Sequence, residues 1–298
     1  MSAPYKASNG DSTFYLSAGQ ASVKANEIVY GQPAFGYPPD YKLSQLIWEV
    51  KNNPVLIGGL SYERNKTRIN LELQTSVTEG DGVMDDYDWR YIGLDWSDWS
   101  HHEDTSLTDY HSLDINFDYH FHGSDDSAWR FLFGYRESNW KWESRGGTFI
   151  YSTVPIDFRD QSGTFTPGEL VISYEQEFSM PYVGIKYEGK NGKWKYHFQY
   201  EYSNWVSMKA TDYHFLPDII FVDDFADGDM SAYKIGVAYK FYSQLEGFIR
   251  YDAREYEELR GNTLYRDSNT GAIIGYCENC AGADNSSSAW SIGISYIY

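Results

Sequence analysis

Polar and apolar residues alternate strictly along many stretches of this chain. Residues 68–77 set Ile69, Leu71, Leu73, Thr75 and Val77 on one face, against Arg68, Asn70, Glu72, Gln74 and Ser76 on the other. Residues 112–122 repeat the pattern, with Leu113, Ile115, Phe117, Tyr119 and Phe121 opposing Ser112, Asp114, Asn116, Asp118, His120 and His122. The same period returns at 194–203, at 233–241 and in the last nine residues, which end on Tyr296 and Tyr298. Period two is the signature of a β-strand with one apolar and one polar face. A soluble sandwich also alternates. Two features point instead to a membrane barrel. The polar face carries Arg, Glu, Asp, Lys and His deep within the strands, as a wet lumen allows. The apolar face begins and ends on Tyr or Trp, as a lipid-facing band with interfacial girdles requires.

Connection lengths also alternate. Short polar turns fall near 63–66, 123–127, 188–193 and 243–244, and long polar segments near 31–41, 78–109, 143–168, 208–230 and 257–287. Tight turns on one side and long loops on the other are the plan of an outer-membrane barrel. The pattern predicts an all-β fold: a ten-stranded antiparallel transmembrane β-barrel, one domain over 1–298, with long extracellular loops. The strands are predicted at roughly 12–30, 42–62, 67–77, 110–122, 128–142, 169–187, 194–207, 231–242, 245–256 and 288–298. Asn52-Asn53-Pro54 interrupts the second strand, and proline lacks a ladder donor, so a bulge or kink is expected there. An even strand number returns both ends of the chain to the periplasmic side. No run of eighteen apolar residues exists, which excludes a transmembrane helix. Met1-Ser2-Ala3-Pro4 lacks the basic and apolar regions of a signal peptide. That fits a cytosolic protein or a mature exported chain, and the strand pattern favours export.

Composition sharpens this picture. Aromatic residues make up 18% of the chain, with 28 Tyr, 16 Phe and 10 Trp. Rings with a polar tip suit a membrane interface. The formal charge of −19 argues against nucleic acid as a partner and favours cationic ones. The two cysteines, Cys277 and Cys280, form a C-x-x-C pair in the last long segment. Such a pair can be a redox site, half a zinc site or a local disulfide. No second pair and no βαβ context accompany it, and an outer surface is oxidising, so a disulfide is expected.

Ten strands leave a narrow lumen that polar side chains largely fill, so chemistry is expected at the rim. Asp86 and Asp88 are two residues apart; on an extended strand both carboxylates point the same way, and like charges so placed share a proton or hold a water. The bland reading is a solvated acidic loop. Asp212 and His214 are also two apart, so Asp212 can orient the imidazole as a general base. Alone, that pair is more often a solvated histidine. Facing each other across the rim, the two pairs could activate one water. His101 and His102 are adjacent and diverge. His120 and His122 share a lumen face near a periplasmic turn and read as part of a polar network. Asp223, Asp224, Asp227 and Asp229 resemble a broken calcium loop without its closing glutamate, and no metal is expected.

With these pairs in place, the chain resembles the omptin family of outer-membrane aspartate–histidine proteases over essentially its whole length. The resemblance is carried by Asn26-Glu27-Ile28-Val29-Tyr30, Ser44-Gln45-Leu46, Met84-Asp85-Asp86-Tyr87-Asp88-Trp89, Trp96-Ser97-Asp98, Arg145-Gly146-Gly147, Met180-Pro181-Tyr182 and Asp212-Tyr213-His214, and by the spacing between them. It implies an endopeptidase in the outer membrane of a Gram-negative bacterium, with its active site facing the exterior and cationic peptides or proteins as substrates. Asp212 and His214 are implied as the dyad that activates water, with Asp86 and Asp88 as the opposing catalytic pair. Glu27 is implied in the pocket for a basic side chain before the scissile bond, and Asp98 near the subsite after it. Ser100 and His102 align with rim residues. No cofactor is implied, but lipopolysaccharide, or outer-membrane lipid more broadly, is an implied partner needed for activity. Two positions depart from the family pattern. The usual second acid of the basic pocket falls at Ala210, and the arginines that hold lipopolysaccharide fall at Asn139 and Glu177. The competing functional readings are a non-enzymatic adhesin or structural barrel, and a small pore.

Overall fold

The alternating segments pair into one antiparallel sheet that closes on itself. The computed structural model describes residues 8–124 and 126–298. The turn predicted at 123–127 includes residue 125, and the one-domain reading includes residues 1–7; both lie outside the described residues. The strands are β1 Ser8–Tyr30, β2 Lys42–Asn65, β3 Thr67–Ser76, β4 Gly80–Asp88, β5 Asp98–Ser124, β6 Ser127–Arg145, β7 Thr148–Tyr151, β8 Gln161–Thr164, β9 Leu170–Asn191, β10 Trp194–His214, β11 Ile219–Lys240, β12 Leu245–Asp267 and β13 Ile273–Ile297. β3 and β4 are two halves of one stave, since both pair with β2 on one side and β5 on the other. β7 and β8 form a small hairpin on the end of β5. The remainder make a ring of ten staves, closed where β1 meets β13 and β3 meets β5. Closure leaves no open edge in lipid, so the backbone groups of the wall find partners within the sheet. Among the described residues no helix is long and apolar enough to cross a membrane.

The ten-strand expectation holds, but the staves are longer than the alternation suggested. Most of 78–109, 208–230 and 257–287, read as loops, is strand. The reason lies in what alternation reports. It marks where one face meets lipid, about ten residues per strand. Above the membrane the ladder continues while the outward face no longer needs apolar residues.

Apolar side chains there turn inward instead. In β10, Tyr196, Phe198, Tyr200 and Tyr202 are exposed on the lipid band while Glu201 and Ser203 are buried. Register shifts between Ser203, Val206 and Met208 add a residue, and Val206, Met208, Ala210 and Asp212 are then the buried ones. β2 does the same at the predicted break: Asn52 takes φ 58°, and the pairing jumps from Ala21↔Asn53 to Val23↔Val50. Below the bulge Asn53, Val55 and Ile57 face inward; above it Leu46, Trp48 and Val50 do. A bulge inserts one residue and so exchanges the faces of everything beyond it.

The barrel therefore has two interiors. In the membrane half the lumen is a charged plug. Arg136 pairs with Asp114 and, at 2.7 Å, with Glu201. Glu72 takes Arg250 at 2.6 Å, Lys234 at 3.1 Å and the Tyr15 hydroxyl. Pairing is what makes burial of these charges tolerable. A cavity of about 560 Å³ lies at the periplasmic end, walled by ion pairs of Arg68, Arg130, Glu63 and Glu188. Above the plug, Trp48, Trp142 and Tyr174 form a stacked aromatic core with Phe178, Met180 and Tyr256 beside it. That core is the floor of the outer cleft. The bulge at 120–122 also corrects a smaller expectation: His120 is buried, whereas His122 is exposed.

Candidate active site

β4 delivers the first pair of acids. Met84 is fully buried, so alternation puts Asp86 and Asp88 on the same inward side, above the aromatic floor. Asp86 is the register partner of Leu46 and Ser100, and Asp88 that of Ser44 and Asp98. Asp85 faces the other way and binds His101 Nδ1 at 2.8 Å and the Trp99 indole N–H at 3.0 Å. Burial, then the charge of Asp88, pushes the Asp86 carboxyl well up from its ordinary value; His214 acts against this and Asp212 adds to it. Burial raises Asp88 to about 6, opposed by a hydrogen bond from Ser44. Two carboxyls so placed do not both ionise easily, and one proton is readily held between them.

β10 delivers the second pair from across the rim. Asp212 is 1% exposed, and its Oδ2 lies 2.6 Å from His214 Nε2. With Nε2–H donated to the carboxylate, Nδ1 is the ring atom left to accept a proton. The influence of His214 and Asp212 on Asp86 puts the two pairs within electrostatic reach of each other. The structure thus brings together all four residues singled out at the rim.

Glu27 joins them from β1. It is 4% exposed, and burial followed by the charges of Asp212 and Asp223 raises its carboxyl well above the usual range. Burial likewise raises Asp212, while a hydrogen bond with Glu27 lowers it. A hydrogen bond thus links the Glu27 and Asp212 carboxyls. A chain runs from Glu27 through Asp212 to His214. One oxygen of Glu27, Oε2, has no hydrogen-bond partner.

Asp98 is placed differently from a free acidic subsite. Arg90 grips it with Nε and Nη2, each at 2.6 Å, and Ser97 Oγ donates at 2.6 Å. Its charge is already matched. Ser100 and His102 form a buried pair beside Asp86. His102 Nδ1 donates to the Gly146 carbonyl at 2.6 Å, so its Nε2 accepts from Ser100 Oγ at 2.9 Å. Burial lowers His102, which keeps the ring neutral.

Sequence reasoning missed several neighbours. Tyr151, on the β7–β8 hairpin, lies over the acids; burial and then Asp86, Asp88 and Asp98 push its phenol up. Asp223 was grouped in a broken calcium loop. In the structure Asp223 is buried while Asp224 points outward, and no cluster with metal-binding geometry exists among the described residues. Its signal is the alternation of β11, in which Asp223 and Phe225 are buried and Asp224 is exposed, within a stretch read from the sequence as loop. Cys277 and Cys280 form the expected disulfide, on β13.

A closed barrel with aromatic girdles and a plugged lumen defines the chain as an outer-membrane β-barrel protein. The omptin family profile matches residues 9–298, and the chain belongs to the omptin family. The plasminogen activator of Yersinia pestis is 27% identical over 288 residues, which cover 96% of this chain and 89% of that protein. Protease 7 of Escherichia coli strain K12 is 27% identical over 288 residues, with 95% and 89% covered. The crystal structure of the outer membrane protease OmpT from Escherichia coli superposes with a TM-score of 0.92, at 26% identity over 98% of both chains. OmpT is named an outer membrane protease, as is IcsP of Shigella flexneri, 26% identical over 286 residues covering 95% of this chain and 89% of that protein. The resemblance read from the sequence is borne out, and with it the outer-membrane location.

Proposed function

We propose that this barrel is an endopeptidase that cleaves cationic peptides and proteins next to basic residues, by direct attack of a water. The observation that carries the reading is the 2.6 Å Asp212–His214 pair within electrostatic reach of Asp86 and Asp88. The water sits between the pairs. His214 takes its proton as the oxygen attacks the carbonyl carbon, and Asp212 holds the imidazole and stabilises the imidazolium. Asp88, ionised, accepts a hydrogen bond from the water, while Asp86, kept neutral by burial, donates one to the developing oxyanion. The imidazolium then protonates the leaving amine. This assigns an aspartate-type hydrolase rather than a serine or cysteine one.

Basic-residue preference follows from Glu27, whose unpartnered Oε2 suits a cation at the bottom of the cleft. Asp98, matched by Arg90, makes the far side of the cleft nearly neutral. Lipopolysaccharide is proposed as a lipid partner only. The outward face around Asn139 carries Asp109 and Glu175, bonded to it at 3.3 and 3.0 Å, with Glu177 alongside. An acidic face of this kind repels lipid phosphates. The pore alternative is disfavoured by the ion pairs that plug the lumen. The test is cleavage of a quenched cationic peptide by the folded barrel, with and without lipopolysaccharide, and mapping of the bonds cut. Cleavage beside Arg or Lys, reduced in Glu27→Gln, is expected. Intact peptide under both conditions would support an adhesin or structural barrel.

A further inference from the structure

We infer that Asp223, on β11, is the second acid of the specificity pocket, and that with Glu27 it selects an arginine side chain over a lysine. This rests on the basic-residue preference proposed above and assigns it a further residue. Asp223 is the register partner of Ala210 on one side and of Thr263 on the other. Ala210 lies two residues before Asp212 on the same inward face, so the Asp223 carboxyl lies beside a methyl group and not beside a longer side chain. Asp223 is 4% exposed. Thr263 hydrogen-bonds its carboxyl, and Oδ1 has no partner. Glu27, also 4% exposed, ends in the unpartnered Oε2. Two buried carboxyls on different strands thus each keep an oxygen with nothing to bind.

Small side chains separate them along the wall. The register partner of Glu27 on β13 is Ala283, and Ala281 pairs with Gly261 of β12. Ala281 and Ala283 are fully buried, and the charge of Asp223 reaches the Glu27 carboxyl across them, although Leu259 of β12, also buried, is the register partner of Ala283. Tyr174 lies within reach of both charges, at the aromatic floor. A buried oxygen without a partner costs free energy unless a ligand satisfies it. The missing ligand here must be cationic, long enough to reach the floor and able to donate in two directions. A guanidinium presents five donors in a planar fork and stacks on aromatic rings; an ammonium is a compact point charge. Two acceptors converging from β1 and β11 above a ring match the fork.

The test compares peptides that differ only at the residue before the scissile bond, carrying arginine, lysine or citrulline, which keeps the shape of arginine without its charge. The wild type is expected to cut the arginine peptide with kcat/KM at least tenfold above the citrulline peptide and above the lysine peptide. Asp223→Asn should lower the arginine-to-citrulline ratio at least tenfold, mainly through KM. Ala210→Asp added to Asp223→Asn moves an acid to the register partner and should restore the ratio. If the ratio in Asp223→Asn stays within twofold of wild type, the assignment of Asp223 is wrong, whether overall turnover falls or not. If that ratio falls but lysine is cut as well as arginine by the wild type, the selection of the fork is wrong. If the wild type does not distinguish arginine from citrulline, the basic-residue reading fails first, and this inference with it.

Discussion

At the scale of single residues, the site is a set of carboxyls held where they do not ionise freely. Burial is the first cause for Glu27, Asp86, Asp88, Asp212 and Asp223 alike. Desolvating an ionised acid costs several kcal/mol even after the site relaxes, and functional sites are where such costs persist. Asp88 gives the clearest consequence. A carboxyl raised to about 6 is charged above that pH and neutral below it. The water needs the charged form, so turnover should fall as pH drops through about 6, and a pH series of kcat/KM on one cationic peptide reads this directly. A profile flat between about pH 5 and 8 would contradict the role given to Asp88. The four central residues were legible because a spacing of two on a strand fixes a shared side, and because the family resemblance named them. Asp223 was not. A run of four aspartates looks like a solvated or metal-binding loop unless the strand and its inward face are known.

At the scale of elements, bulges decide which side chains reach the cleft. The bulge at Asn52 turns Trp48 and Leu46 inward, and the shift after Ser203 turns Asp212 inward. Without the shift in β10 Asp212 would face outward. Asn52 holds its bulge in the left-handed region at φ 58°, which asparagine tolerates and β-branched residues do not. Asn52→Val is expected to cost about 1–2 kcal/mol and Asn52→Gly close to nothing. Thermal unfolding of the detergent-solubilised barrel measures both. Equal stability of the Val variant would mean that the bulge is held elsewhere. The sequence announced this break through Asn52-Asn53-Pro54, because proline is visible in one letter. It did not announce the shift in β10, where Ser203-Asn204-Trp205 carries no such mark. For the same reason the strands above the membrane were read as loops: their apolar face is the inner one, and inner faces of a site are broken by acids, glycines and histidines.

At the scale of the whole molecule, one barrel serves two solvents. Its lower half presents apolar residues to lipid and seals its lumen with ion pairs; its upper half presents polar residues to water and stacks aromatics inside. The plug predicts a barrel that does not conduct ions. Arg136 is fully buried between Asp114 and Glu201. Arg136→Met leaves two acids facing each other and is expected to cost about 3–5 kcal/mol, the usual penalty for breaking a buried pair from one side. A lower unfolding temperature checks this. In planar bilayers the wild type should pass no steady ion current, and sustained conductance would contradict the sealed lumen. The net charge of −19 adds a long-range term that would draw the proposed cationic substrates to the rim more strongly at low salt.

The central claim is that His214, held by Asp212, takes a proton from a water that Asp86 and Asp88 position. The most direct measurement is the turnover number of folded His214→Ala on a quenched cationic peptide, with folding verified by the heat-sensitive gel mobility of an intact barrel. Loss of a general base lowers rates by about 10²–10⁴-fold. The account predicts a loss in that range with the fold intact. Turnover of the folded variant within a few-fold of wild type would contradict it.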